Sequence, residues 1–242
     1  MRTRTFNFEK PVLPMQYDFA RAGKNGTLIA VVMDESGSMS RVQNQTIAAF
    51  NEFVLGQKST GKETGAAYMT LVKFDAPDIH TVYSNRPIDE VPDLTKETYK
   101  PRGGTNLFDA VGHTMSMVHN ELAKSWNVEN RPGVIVLIMT DGEENSSEQF
   151  TRDEVKNMVK SAEESDWTFT FLGANIDAFA ASAKLGMGAH NTLQYSVNNM
   201  GGTMAAASEM VTATRAAKMK GVDTQALYAS GLYSDDQRNK AK

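Results

Sequence analysis

The 242-residue chain has no cysteine, which excludes disulfides, thiolate metal sites and cysteine nucleophiles together. It has no run approaching the roughly 18 consecutive apolar residues of a membrane span. Its first ten residues, Met1 to Lys10, are basic but lack the apolar stretch of a secretory signal. A cytoplasmic protein, or one assembled from the cytoplasm, is the resulting expectation. Excess positive charge is also missing: 25 Lys and Arg against 29 Asp and Glu leave a formal charge of −4. That argues against nucleic acid, which needs a clustered basic surface. The four histidines, His80, His113, His119 and His190, show no zinc spacing among themselves. What remains, 40% hydrophobic and 22% charged residues, is the composition of a globular chain long enough to bury a substantial core.

The most informative segment is Leu28-Ile29-Ala30-Val31-Val32-Met33 followed by Asp34-Glu35-Ser36-Gly37-Ser38-Met39-Ser40. An unbroken apolar run suits a parallel strand covered on both faces, where hydrophobic and polar positions need not alternate. The strand ends on a carboxylate and two hydroxyls, hard oxygen donors of the type that suits Mg²⁺, Ca²⁺ or Mn²⁺. No nucleophile with an adjacent base is present in it.

Along the rest of the chain, apolar strands alternate with amphipathic helices. Residues 1–26 read as an N-terminal extension with an edge strand at Thr5–Glu9, 27–217 as the domain, and 218–242 as a tail, disordered from Ser234. A capping box of Ser40 and Gln43 predicts a helix near 41–55. Strands are expected at 66–74 and 79–83, joined by a hairpin turn at Asp75-Ala76-Pro77-Asp78, which makes the latter an antiparallel edge. Gly103-Gly104-Thr105 precedes a helix with Leu107, Ala110, Val111, Thr114, Val118 and Leu122 on one face. A buried strand at 134–139 closes on Thr140-Asp141-Gly142. Thr151 and Glu154 form a second capping box, with Val155, Met158, Val159 and Ala162 turned inward. Strands at 168–172 and 192–195, a short helix after Asp177 and a helix at about 199–217 complete the pattern. The fold class is α/β: a doubly wound, mostly parallel sheet with helices on both faces. In such sheets ligands sit outside the carboxyl ends of the strands, which puts Asp34 to Ser38, Thr105 and Asp141 on one edge.

Asp34-x-Ser36-x-Ser38, Thr105 in a second loop and Asp141 after the fourth strand resemble the signature of a von Willebrand factor type A (vWA) domain, over roughly 27–217. The resemblance implies a Rossmann-like strand order of 3-2-1-4-5-6 and a metal-ion-dependent adhesion site (MIDAS). It implies one Mg²⁺, Mn²⁺ or Ca²⁺ ion held by Asp34, Ser36, Ser38, Thr105 and Asp141, with a position left for a partner's acidic residue. It also implies a non-enzymatic interaction module of the bacterial or bacteriophage type, whose partner could be an AAA+ ATPase or a viral structural protein. The family further suggests coupling between this site and the last helix, whose small residues would permit sliding.

Other readings compete. A structural subunit with an idle metal site is the second class. A haloacid-dehalogenase-like phosphotransferase also places an aspartate after strand one, but it needs a second acid two residues on, where this chain has Ser36. Residues 56–63, Gly-Gln-Lys-Ser-Thr-Gly-Lys-Glu, approach a P-loop but end on Glu63 and precede a strand, so they read as a flexible loop. Asp75, Asp78, Glu143, Glu144 and Asp177 read as a solvated loop surface, with a second metal site or a selective rim as alternatives.

Overall fold

The computed structural model describes residues 26–125, 131–174 and 176–241. The strands are β1 (Thr27–Asp34), β2 (Ala67–Asp75), β3 (Asp78–Pro87), β4 (Gly133–Thr140), β5 (Trp167–Ala174) and β6 (Thr192–Tyr195). They form one sheet in the order β3-β2-β1-β4-β5-β6. All neighbours are parallel except β2 and β3, which are antiparallel across the Asp75–Asp78 turn. The fold class and strand order read from the sequence are those observed. Of the extension expected at 1–26, residues 1–25, and with them the edge strand expected at Thr5–Glu9, lie outside the described residues.

The helices are α1 (Gln43–Ser59), α2 (Gly61–Thr64), α3 (Leu107–Ser125), α4 (Arg152–Glu164), α5 (Ala178–Lys184), α6 (Met200–Met219), α7 (Thr224–Ser230) and α8 (Asp235–Lys240). Side chains leave a strand to alternate faces, and β1 divides the core accordingly. Ile29, Val31 and Met33 pack with Phe50 and Phe53 of α1 and Met204, Ala207 and Met210 of α6. Leu28, Ala30 and Val32 pack with Leu107, Val111 and Val118 of α3 and Val155 and Val159 of α4. Both faces being covered explains why β1 has no polar residue between Thr27 and Asp34.

The capping box at Thr151 is present: Thr151 N–H donates to Glu154 Oε2 at 2.8 Å and Glu154 N–H to Thr151 Oγ1 at 3.3 Å. The one expected at Ser40 is not. A 3₁₀ turn, Gly37–Val42, continues from the first loop into α1, so Ser40 lies inside a helical stretch and Val42 is the N-cap. The loop expected from residue 56 is helical to Ser59, and Gly56 is where α6 comes close. A Cβ there would stand 2.6 Å from Ser208 Oγ. The C-terminal residues from Ser234, expected to be disordered, form α8 after a proper capping box of Ser234 and Gln237. Tyr228, Leu232, Tyr233 and Ala241 are buried in the core shared by α1 and α6. Those four apolar residues, spaced among polar ones, are what hold the segment down. Among the described residues no helix is long and apolar enough to cross a membrane.

Candidate metal centre

The strand order reverses between β1 and its neighbour β4, and both strands end there on polar residues, Asp34 and Thr140. Asp34 is fully buried. Its Oδ1 accepts the Ser36 backbone N–H at 2.7 Å and its Oδ2 the Thr140 hydroxyl at 2.5 Å. Burial pushes its carboxyl up to about 6, which the bonds from Ser36 and Thr140 offset only partly and the nearby Asp141 charge reinforces. Ser36 and Ser38 present their hydroxyl oxygens 3.2 Å apart, and Ser38 Oγ donates to Asp141 Oδ1 at 2.5 Å. Four of the five expected residues are thus joined in one network.

Thr105 supplies the fifth. A Cβ on Gly142 would stand 2.8 Å from Thr105 Oγ1 and 3.8 Å from Asp34 Oδ2, so Thr105 and Asp34 both face this glycine, and a side chain there would have to displace the Thr105 hydroxyl. The Thr105 loop is held from both sides. Gly37 N–H donates to Gly103 O at 3.1 Å, and Ala76 N–H to Gly104 O at 3.0 Å. Asn145 and Ser146 N–H groups reach Thr105 O at 3.0 and 3.1 Å. Gly103 has φ of +66°, and a Cβ on it would meet Ala76 O at 2.6 Å, so the position requires glycine.

Asp141 is buried, and its Oδ2 accepts no hydrogen bond among the described residues. The nearest cation is the exposed Arg41 guanidinium at 3.9 Å. The donor set of two carboxylates and three hydroxyls is hard and carries two negative charges, which fits a divalent cation. Beneath it, Tyr99 donates its hydroxyl to Asp34 O at 2.7 Å. The buried Tyr195 hydroxyl has no partner among the described residues. Burial pushes both phenols up, and the site's aspartates add to the effect.

The surrounding carboxylates are not a uniformly solvated surface. Glu144 accepts backbone N–H groups of Phe108, Ser146 and Ser147 at 2.7 to 2.9 Å, and Asp177 caps α5 through Ala180 N–H at 3.0 Å. Glu143 is exposed and pairs with Lys184 at 3.6 Å. Asp75 is buried under Arg102 and His80. Sequence reading missed three supports. Lys73 pairs with Glu35, the Thr140 hydroxyl holds Asp34, and buried Asp109 accepts the N–H groups of Glu148, Gln149 and Phe150 at 2.7 to 2.9 Å. A charged residue inside β2, Lys73, was the visible signal for the first.

The chain matches the von Willebrand factor type A domain family model over residues 29–220. No curated protein matches it. Among solved structures it resembles the vWF domain of the type V pili tip protein Mfa5 from Porphyromonas gingivalis, with 14% identity and a TM-score of 0.57, covering 78% of this chain and 96% of that one. The pilus adhesin SpaC from Lactobacillus rhamnosus GG matches at 11% identity and a TM-score of 0.59, over 78% of this chain and 30% of its own. Proximal thread matrix protein 1 from the mussel byssus, in a form with a zinc occupied MIDAS motif, matches at 14% and 0.51, over 74% of this chain and 46% of its own. This chain therefore spans less than half of the mussel protein and less than a third of the pilus adhesin. At such identities the likeness shows the fold alone. The family match and the observed strand order agree, and the chain belongs to the von Willebrand factor type A domain family.

Proposed function

We propose that this vWA domain is a metal-dependent protein-interaction module of the bacterial or bacteriophage type rather than an enzyme. Its site is Asp34, Ser36, Ser38, Thr105 and Asp141. The observation that carries the reading is the buried Asp141 Oδ2 without a hydrogen bond, facing a network that already joins Asp34, Ser36 and Ser38. A buried carboxylate oxygen left unpaired is costly unless a cation meets it. Ser36, Ser38 and Thr105 offer neutral hydroxyls, while Asp34 and Asp141 hold position through Thr140, Ser36 and Ser38. Mg²⁺, Mn²⁺ or Ca²⁺ bound there would supply Lewis acidity toward a carboxylate oxygen. The fitting partner is a protein that offers an acidic side chain, such as an AAA+ ATPase or a viral structural protein.

One observation favours the second reading, an idle site in a structural subunit. Ser38 and Arg41 already lie against Asp141 from within the chain. Calorimetry separates the two. Mg²⁺ and Mn²⁺ should each bind one site, weakly for Mg²⁺ because it dehydrates reluctantly. Asp34→Ala should abolish that binding and Thr105→Ala should weaken it. Unchanged binding in Asp34→Ala would locate the metal elsewhere, and no binding by the wild type would leave the idle-site reading.

A further inference from the structure

We propose a second cation site, at the β2–β3 hairpin, in which Asp75, Asp78 and His80 bind a transition metal such as Zn²⁺ or Co²⁺ after Arg102 swings away. One ligand atom from each of the three residues lies within 4.8 Å of the others. None of them belongs to the site described above. Asp75 is the anchor: its side chain is wholly buried, yet its Oδ1 accepts no hydrogen bond among the described residues. Its Oδ2 is paired with Arg102 Nε, and the same guanidinium reaches Asp78 Oδ2 at 3.3 Å.

The arrangement is frustrated at one atom. His80 Nε2 lies 3.3 Å from Asp75 Oδ1 and 3.4 Å from Arg102 Nη2. Arginine is always a donor. If Nε2 carries a lone pair, it accepts from Arg102 and meets the Asp75 oxygen lone pair to lone pair. If Nε2 carries a proton, it faces the Arg102 N–H donor to donor, and the Asp75 Oδ1 3.3 Å away still accepts no hydrogen bond. Either tautomer leaves Asp75 Oδ1 unmet. A metal on the lone pairs of Nε2 and Oδ1 satisfies both atoms at once, with Asp78 as the third ligand. The guanidinium then acts as a placeholder cation, and with its side chain 62% exposed it has water to move into. Imidazole with two carboxylates suits Zn²⁺ or Co²⁺ rather than Mg²⁺, with a fourth position left open. The hairpin also adjoins the Thr105 loop, since Ala76 and Gly104 form a bridge and Arg102 N–H donates to Glu35 O at 2.8 Å.

The test is a Co²⁺ titration of the full chain, followed by visible absorption and calorimetry. Wild type should bind two equivalents. His80→Ala should lose one, together with the imidazole-ligated absorption band, and keep the equivalent that Asp34→Ala removes. Arg102→Ala should tighten the hairpin site by at least about fivefold, the scale of the exposed pair with Asp78 alone, since the pair with buried Asp75 is given up on binding as well. His80 and Arg102 are both substantially exposed, so these variants should fold, which thermal unfolding checks. Stoichiometry and spectrum in His80→Ala equal to wild type would overturn the proposal. So would a single wild-type equivalent that Asp34→Ala removes. A single equivalent lost in His80→Ala but kept in Asp34→Ala would uphold this site and sink the first one. Weaker binding in Arg102→Ala would overturn the placeholder role.

Discussion

Lys73 Nζ lies 2.8 Å from each carboxylate oxygen of Glu35, the residue directly before Ser36 of the proposed metal site, and both side chains are buried. The pair does more than neutralise itself. Lys73 also donates to Thr98 O at 2.6 Å, and Glu35 accepts the Lys100 backbone N–H. It thereby clamps residues 98–100, including Tyr99, against the first loop. Removing one partner strands a buried charge, so Glu35→Gln or Lys73→Met alone should cost about 3–5 kcal/mol, and the double variant should recover much of that. A urea double-mutant cycle measures the coupling, and additive single effects would show that the pair is not coupled.

Asp109 ties down the loop between β4 and α4 by accepting three of its N–H groups. Asp109→Ala should cost about 2–4 kcal/mol: a fully buried orphaned donor carries about 1–3, and water can reach part of these three, which belong to the exposed Glu148 and Gln149 and the half-buried Phe150. Asp109→Asn should cost less. Its one carbonyl oxygen can still accept from Gln149 and Phe150, while its amide nitrogen cannot accept from Glu148. Equal losses in urea unfolding would mean that the charge, not the count of acceptors, matters.

Two glycine substitutions should move stability in opposite directions. In helix α6, a Cβ added at Gly201 would have nothing within 4 Å, so Gly201→Ala should gain about 0.5–1 kcal/mol from helix propensity. In helix α3, a Cβ at Gly112 would stand 2.6 to 2.7 Å from the Phe150 ring. Gly112→Ala should therefore lose about 1–3 kcal/mol through overpacking. Thermal unfolding of both variants decides it, and a stabilised Gly112→Ala would show that Phe150 yields freely.

Burial lowers the proton affinity of His113, whose Nε2 lies 3.4 Å from Thr81 Oγ1. The unfolded chain, with histidine near 6.5, then binds the proton better than the folded one. The stability contribution is complete above about pH 6.5 and declines as pH falls toward the lower folded value. His113→Gln should flatten the stability profile between pH 7 and 5. Chemical denaturation across that range measures it, and parallel profiles for the two proteins would refute the assignment.

What could be read from the sequence was whatever burial writes locally. The continuous apolar runs of β1 and β4, the period of α3 and the Thr151–Glu154 box each specify their own element. Ser40 misled because the same hydroxyl-rich string suits both an N-cap and a 3₁₀ turn, and the tertiary contact of Gly37 with Gly103 selects the turn. The five expected site residues could be named because they belong to three short motifs, and their side chains do converge. The pairing of Lys73 with Glu35, the Asp109 anchor and the pairing of Asp75 with Arg102 were not legible as contacts, since each joins residues 27 to 41 positions apart. Helix α8 was hidden by its polarity. Only its cap and the apolar residues flanking it carry the signal.

Arg215 of α6 is fully buried, and burial pulls its guanidinium down to about 10. It donates to Gln57 O and Oε1, Thr60 Oγ1 and Gly65 O at 2.9 to 3.3 Å, while Gln57 Nε2 reaches back to Ser208 O and Oγ and to Thr212 Oγ1. A slide of α6 by one turn, about 5.4 Å, would pull this cation away from every acceptor it has. The small residues along α6 let it lie close to α1, where a Cβ on Gly56 would stand 2.6 Å from Ser208 Oγ. Should a partner dock on the proposed metal site, a helix seated this firmly would offer it a surface cut beforehand, with little freedom left to lose on contact.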